Sequence, residues 1–280
     1  MMVGAHRIGH ACLTLQFDAN LSQFDQTLII TPFDTVRLDA AFKKHNIDTS
    51  NFVYMRDEEV LERYPHVKDW NLTGDYRGAW LYQQALKLAA IDMTDADVVF
   101  LQDADTFCTK PYQCVVDDKL NLLYLPDTTH APGYYEAFRN ATGLERQTSN
   151  CFVCDMMPVF KSDWQALKSH VETLHQTDFL TAFIEQTPWD YVANVKWFSE
   201  YEMIGNWVVS QHDQYILTEQ HRFEYKKLEN LTHNDFPAVF DCISDKNPYG
   251  RILPFDYSTD TVLNLDAVME RLRPLLPANC

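Results

Sequence analysis

Glycine is scarce in this chain, at 8 of 280 residues. That excludes Gly-rich repeats, collagen-like sequence and flexible Gly/Ser linkers, and with them a beads-on-a-string organisation. Positive charge is also short. Against 40 Asp and Glu there are 23 Lys and Arg, giving a formal charge of −17. Such a surface repels a nucleic-acid backbone and an anionic bilayer, so neither is an expected partner. No apolar run is long enough to cross a membrane, and the start, "MMVGAHRIGHACLTLQF", lacks the basic-then-apolar order of a signal peptide. A zinc-ribbon framework is missing too. Of the 7 cysteines, only Cys151 and Cys154 form a CxxC, and no second pair closes a tetrahedral site. Their apolar run, "NCFVCDMMPVF", reads as buried thiols in a strand. The expectation is a soluble, cytoplasmic protein with reduced cysteines. Asn-x-Ser/Thr triplets at Asn20, Asn71, Asn140 and Asn230 are then read as coincidental.

What is present suits an α/β protein. The hydrophobic fraction is 46%, enough for a substantial core. Short apolar strands at 28–31, 52–55, 98–101 and 122–125 alternate with helical patterns. The best of these patterns is "GDYRGAWLYQQALKLAAID", with Asp75 as a cap and Leu81, Ala85 and Leu88 on one face. Gln83 and Gln84 read as ordinary residues of that helix. Alternation of this kind predicts a mostly parallel central sheet covered by helices on both faces. No linker divides the chain. It is read as one domain, 1–280, with a first half over about 26–125 and a second over about 126–280.

One stretch carries chemistry. "VVFLQDADTF" drives an apolar strand into Asp103 and Asp105. In a parallel α/β sheet ligands bind beyond the carboxyl ends of strands, and residues two apart on an extended strand project to the same side. Two adjacent carboxylates repel unless a cation joins them. An all-oxygen site suits Mg²⁺ or Mn²⁺, with water and substrate phosphate completing the shell. Asp95 and Asp97 bracket the same strand at its amino end and read as a solvated turn. Two enzyme classes use such a strand end. Haloacid dehalogenase-like phosphatases would employ Asp103 as a nucleophile and Asp105 as acid/base. Glycosyltransferases of the GT-A type use a DxD motif to grip a metal–diphosphate. Three strand–helix units precede the motif, and no later Gly-Asp-x-x-x-Asp follows, which favours the second class. A non-catalytic sugar-binding module is the remaining alternative.

With "GDYRGAWLYQQALKLAA", "DADVVFLQDADTF", "SNCFVCDMMPVFKSDWQAL" and "FSEYEMIGNWV", the chain resembles the DUF6492-type GT-A glycosyltransferases over about residues 26–210. The likeness lies in the order and spacing of the blocks. One departure stands out. Cys154 and Asp155 precede Met156 where the family carries paired histidines. The resemblance implies a GT-A, Rossmann-like fold. The implied activity is metal-dependent transfer of a sugar, hexose or pentose, from a nucleoside diphosphate donor to a glycan hydroxyl. The expected donor is UDP-linked, with UDP-xylose among the choices; the expected metal is Mn²⁺ or Mg²⁺, and the expected outcome inversion.

It also implies roles for particular residues. Asp34 would meet the base and ribose, although it also reads as a helix cap. Arg77, opening a helix, would face the diphosphate. Asp103 and Asp105 would hold the metal, Asp103 reaching the donor as well, with His233 completing the shell ahead of His212 and His221. Asn150, at the start of a strand, would touch the donor sugar. For the acceptor proton the general base is Glu200, with Asp155 as the competing choice. Glu202 reads instead as a capping-box residue, three after Ser199. Trp189, Trp197, Tyr201 and Trp207 read first as packing and second as sugar-stacking faces.

Overall fold

Alternating β-branched and aromatic residues followed by Pro, Asp or Thr breaks set the element order, and the computed structural model follows it closely. It describes residues 11–12, 14–15, 24–67, 76–104, 106–108, 112–126, 132–190, 195–219 and 252–254. Strands are β1 (Thr27–Thr31), β2 (Phe52–Arg56), β3 (Val98–Gln102), β4 (Thr106–Cys108), β5 (Val115–Val116), β6 (Lys119–Tyr124), β7 (Met156–Phe160), β8 (Trp189–Asp190), β9 (Val195–Lys196), β10 (Tyr215–Glu219) and β11 (Ile252–Pro254). Helices are α1 (Thr35–Lys44), α2 (Asp57–Arg63), α3 (Tyr76–Met93), α4 (Gly133–Thr142), α5 (Lys161–His175), α6 (Phe179–Gln186) and α7 (Glu200–Gln211). The expected strands and helices of the first half are all found at their sequence positions. The Asp75 cap lies outside the described residues.

The α/β class stands, but the sheet differs from the expected one. Among the described residues the strands form sheets of two and three rather than one continuous sheet. β1 pairs with β2 and β6 with β10 in parallel, while β5–β6, β4–β11 and β8–β9 are antiparallel. β3 neighbours β7. Two of the antiparallel pairs come from strands of only two residues, too short to extend a sheet.

The chain divides into two compact units. The first contains 1–57, 102–113 and 220–280; the second contains 58–101 and 114–219. In the first, Ile29, Leu38, Phe42 and Ile47 bury against Ala11, Cys12 and Leu15, with Phe52 and Tyr54 packed on that cluster. Ala104 belongs to the same core.

In the second unit α3 is buried almost all round, from Gln84 to Ile91, the pattern of a core helix rather than a surface one. Trp164, Phe179 and Phe183 stack edge to face beside it in the same unit. Here two scarce glycines have defined work. Gly143 ends α4 at φ 70, its N–H closing on Arg139 O, the left-handed cap that glycine takes without strain. Gly205 lies directly on the Phe152 ring, with no room for a Cβ. Gly205→Ala should therefore destabilise the protein by roughly 1–3 kcal/mol, the usual cost of overpacking a core. The shift would be read from the thermal or urea midpoint. An unchanged midpoint would mean that the helix moves off Phe152 freely.

Candidate functional site

The DxD segment is built into the first unit by its middle residue. Ala104 is 5% exposed, and its carbonyl accepts from Thr14 Oγ1 at 2.7 Å. Thr106 N–H donates to Asp103 O at 3.2 Å, and Gln102 Nε2 donates to Thr106 O at 2.7 Å. Asp103 to Thr106 is thus a closed turn, not the expected continuation of the strand, because β3 ends at Gln102. The spacing argument for two carboxylates on one side of a strand does not apply in that form. Asp103 itself is only partly buried, while its backbone is fixed. Asp105 lies outside the described residues, as does His233. Among the described residues no three His, Cys, Asp or Glu side chains converge as a metal site.

Asp34 caps α1. Its Oδ1 accepts from Val36 N at 2.9 Å and Arg37 N at 3.4 Å. It is exposed, so the carboxylate retains an open face. A cavity of ≈ 660 Å³ opens beside this helix in the same unit, lined by Thr35, Val36, Asp39, Lys43, Ile47 and Tyr54 among others. Its polar groups are mutually engaged. Tyr54 donates to Asp39 at 2.9 Å and Lys43 pairs with Asp39 at 2.6 Å.

The remaining predicted residues fall in the second unit. Arg77 is on the first turn of α3; its side chain lies outside the described residues. Glu200 is 0% exposed and its Oε1 receives Lys87 Nζ at 2.7 Å, with Lys87 itself 5% exposed. Lys87 also donates to Tyr201 Oη at 3.2 Å. Gln84 Oε1 accepts from Glu200 N at 2.9 Å, satisfying one of the N–H groups that a helix start leaves unpaired. Ser199 caps α7 as expected, accepting from Glu202 N. The carboxylate of Glu202 does not close the capping box. Its Oε1 accepts from Phe152 N at 2.8 Å and its Oε2 from Asn206 Nδ2 at 2.7 Å. Burial pushes the Glu202 carboxyl up; hydrogen bonds from Cys151, Phe152 and Asn206 only partly oppose this.

Asn150 and Asp155 precede a strand rather than lying in one. β7 begins at Met156, because Cys154 N–H turns back onto Phe152 O at 2.8 Å and Asp155 takes a left-handed φ of 60. Asp155 is partly exposed, its Oδ2 buried, and aspartate is among the residues that take the left-handed region locally. Cys151 and Cys154 are buried and form no disulfide. Their thiols are sealed as expected, on an irregular segment joined to Leu125 by a single bridge. Tyr201 and Trp207 are core residues, 3% and 4% exposed. Trp197 packs on Tyr134. His212 bonds Asp163 at 3.0 Å.

Sequence reasoning missed Lys87, Gln84 and Arg146. A signal existed for the first. Lys87 is the only charge between Arg77 and Asp92 in an otherwise apolar helix, and a buried ammonium demands a partner.

The profile of the DUF6492 family, a family of unknown function, matches residues 10–240, and the chain belongs to that family. A search of curated protein sequences found no match. Among solved structures, the crystal structure of an active-site mutant of LgtC is similar at a TM-score of 0.46 and 12% identity, over 99% of this chain and 96% of that one. A likeness at that level transfers no residue role.

Two outcomes are expected from these geometries. Lys87→Met leaves Glu200 buried without its cation and should cost about 3–5 kcal/mol, while pairing it with Glu200→Gln should restore much of the loss. Additive losses in urea unfolding would show that the pair is not coupled. Glu202 titrates above an unfolded glutamate. Its stabilising contribution is full below the unfolded pKa and falls as pH rises through the folded one. Glu202→Gln should therefore flatten the stability–pH curve on the neutral side of the ordinary glutamate range. An unchanged slope would locate the dependence elsewhere.

Proposed function

We propose that the chain is a glycosyltransferase of GT-A type, moving a sugar from a nucleoside diphosphate donor to a glycan hydroxyl. The observation that carries this reading is the turn after β3. Its middle residue is packed in a core and its backbone is held by three hydrogen bonds, while Asp103 is partly exposed. Rigid backbone under an acidic side chain is what a preorganised ligand site needs. The match to the DUF6492 profile over most of the chain supports applying the sequence resemblance.

The donor chemistry of Asp103 fits a hard divalent cation, Mn²⁺ or Mg²⁺, which Asp103 and Asp105 would hold. When bound, such an ion supplies Lewis-acid neutralisation of a leaving diphosphate. Asp34, exposed beyond its capping bonds, would accept from a ribose hydroxyl. Arg77, at the amino end of α3, would add positive charge and the helix dipole to a phosphate.

For the acceptor proton the geometry favours Asp155 over Glu200. A general base must reach the hydroxyl it deprotonates. Glu200 is sealed against Lys87 and serves to position α7. Asp155, just before β7, is partly exposed, with its Oδ2 buried. UDP-xylose is one donor this reading admits.

The test is release of UDP from a panel of UDP-sugars with Mn²⁺ and a glycan acceptor. Asp103→Asn should lower the rate on the order of a hundredfold or more, several kcal/mol of charge stabilisation being lost. Asp155→Asn should lower kcat by about 10²–10⁴-fold with the fold intact, whereas Glu200→Gln should act on stability first. Hydrolysis of p-nitrophenyl phosphate through an aspartyl-phosphate on Asp103, without UDP release, would make the protein a dehalogenase-like phosphatase instead. Metal- and nucleotide-independent glycan binding alone would make it a sugar-binding module.

A further inference from the structure

Arg146 stands out for the company it lacks. In a chain of net charge −17, this partly buried arginine forms no ion pair among the described residues. Its guanidinium lies over the Tyr135 ring, 3.6 Å from the centroid, and one Nη2 donates to Asn150 O at 3.1 Å. The Nε is buried with no hydrogen-bond partner. Arg146 is therefore held from two sides, by ring stacking and by one carbonyl, and its remaining terminal N–H groups have no partner among the described residues.

Its surroundings keep it that way. Asn150 is fixed through its backbone. Its N–H donates to Thr148 Oγ1 at 3.1 Å, and the next residue bridges to Leu125. The Asn150 side-chain amide makes no hydrogen bond among the described residues and is partly exposed. Glu202, the acid whose charge acts on Arg146, has both oxygens engaged by Phe152 and Asn206, and burial pushes it toward its neutral form. Burial is the chief cause that pushes the Tyr135 phenol up to about 12, so it stays neutral under the guanidinium. Among the described residues no carboxylate forms an ion pair with the guanidinium.

We infer that Arg146 and the Asn150 side chain form an oxyanion-binding subsite for a carbohydrate ligand, accepting a phosphate or carboxylate oxygen on the guanidinium and a neighbouring hydroxyl or oxygen on the amide. A planar fork beside a free amide is the usual means of reading such a group. The origin of the anion rests on the sugar-transfer reading, as a donor diphosphate or an acidic sugar. The presence of the subsite does not.

The experiment is calorimetric titration of the full chain with pyrophosphate and, separately, with glucuronate, without metal or nucleotide. The variants are Arg146→Met, Arg146→Lys and Asn150→Ala. One of the two probes should bind the wild type. Arg146→Met should weaken binding by about tenfold or more, the worth of a charge-assisted hydrogen bond, and Arg146→Lys should recover part of it. Asn150→Ala, whose side chain holds nothing in the fold, should weaken binding with no change in Tm, which keeps the test valid if Arg146→Met misfolds. Binding of pyrophosphate assigns the subsite to the donor, and binding of glucuronate to an acidic sugar. Absence of binding by both probes, or equal binding by wild type, Arg146→Met and Asn150→Ala, overturns the inference. Anion binding that persists when no UDP-sugar is turned over would sink the transferase reading alone.

Discussion

The second unit turns on one buried ion pair, Lys87 with Glu200. Both charges are buried within helices, Lys87 5% and Glu200 0% exposed, and neither could be there without the other. Their bond fixes more than itself. Glu200 is the first residue of α7, and Gln84, one turn before Lys87 on α3, takes its N–H. The start of α7 is thereby set by two side chains of α3. From that start follow the place of Glu202, its grip on Phe152 N, and the fit of Phe152 over Gly205. A pair of this kind contributes little net stability against an apolar substitute, but it specifies register.

The first unit depends on a different device. Ala104 sits in the core, and its carbonyl is tied to Thr14. A small apolar residue after Asp103 lets the backbone anchor inward while Asp103 itself remains partly exposed. The turn costs the strand its last residues but leaves the Asp103 carboxylate on a rigid support, which a flexible loop would not provide. The contrast with Asp95 and Asp97 is instructive. Both lie at the amino end of β3, where Asp97 O merely receives Lys161 N at 2.8 Å.

Much of this was legible beforehand, for a physical reason. Periodicity reports local burial, so β1, β2, β3 and the helix after Asp34 could be read from residues 27–56 and 98–102 directly. Caps are local too: Asp34 and Ser199 both cap as their chemistry suggests. The segment 150–155 was not legible, because "NCFVC" is apolar enough for a strand while a two-residue turn at Cys154 and the left-handed Asp155 decide otherwise. Nor was the fate of Glu200. Its partner is 113 residues away in sequence, and no spacing rule reaches that far. Arg146 went unnoticed since a lone arginine in a polar loop carries no pattern; only the lack of an ion pair among the described residues marks it.

The central claim is that Asp103 is the hold on a metal–diphosphate. Its most direct test is an electron paramagnetic resonance titration of Mn²⁺ against the full chain, with and without UDP. The account predicts that UDP increases the bound Mn²⁺ to one ion per chain and that Asp103→Asn abolishes the increase while the fold persists. Mn²⁺ that stays free in the presence of UDP, or binds Asp103→Asn equally well, would contradict it.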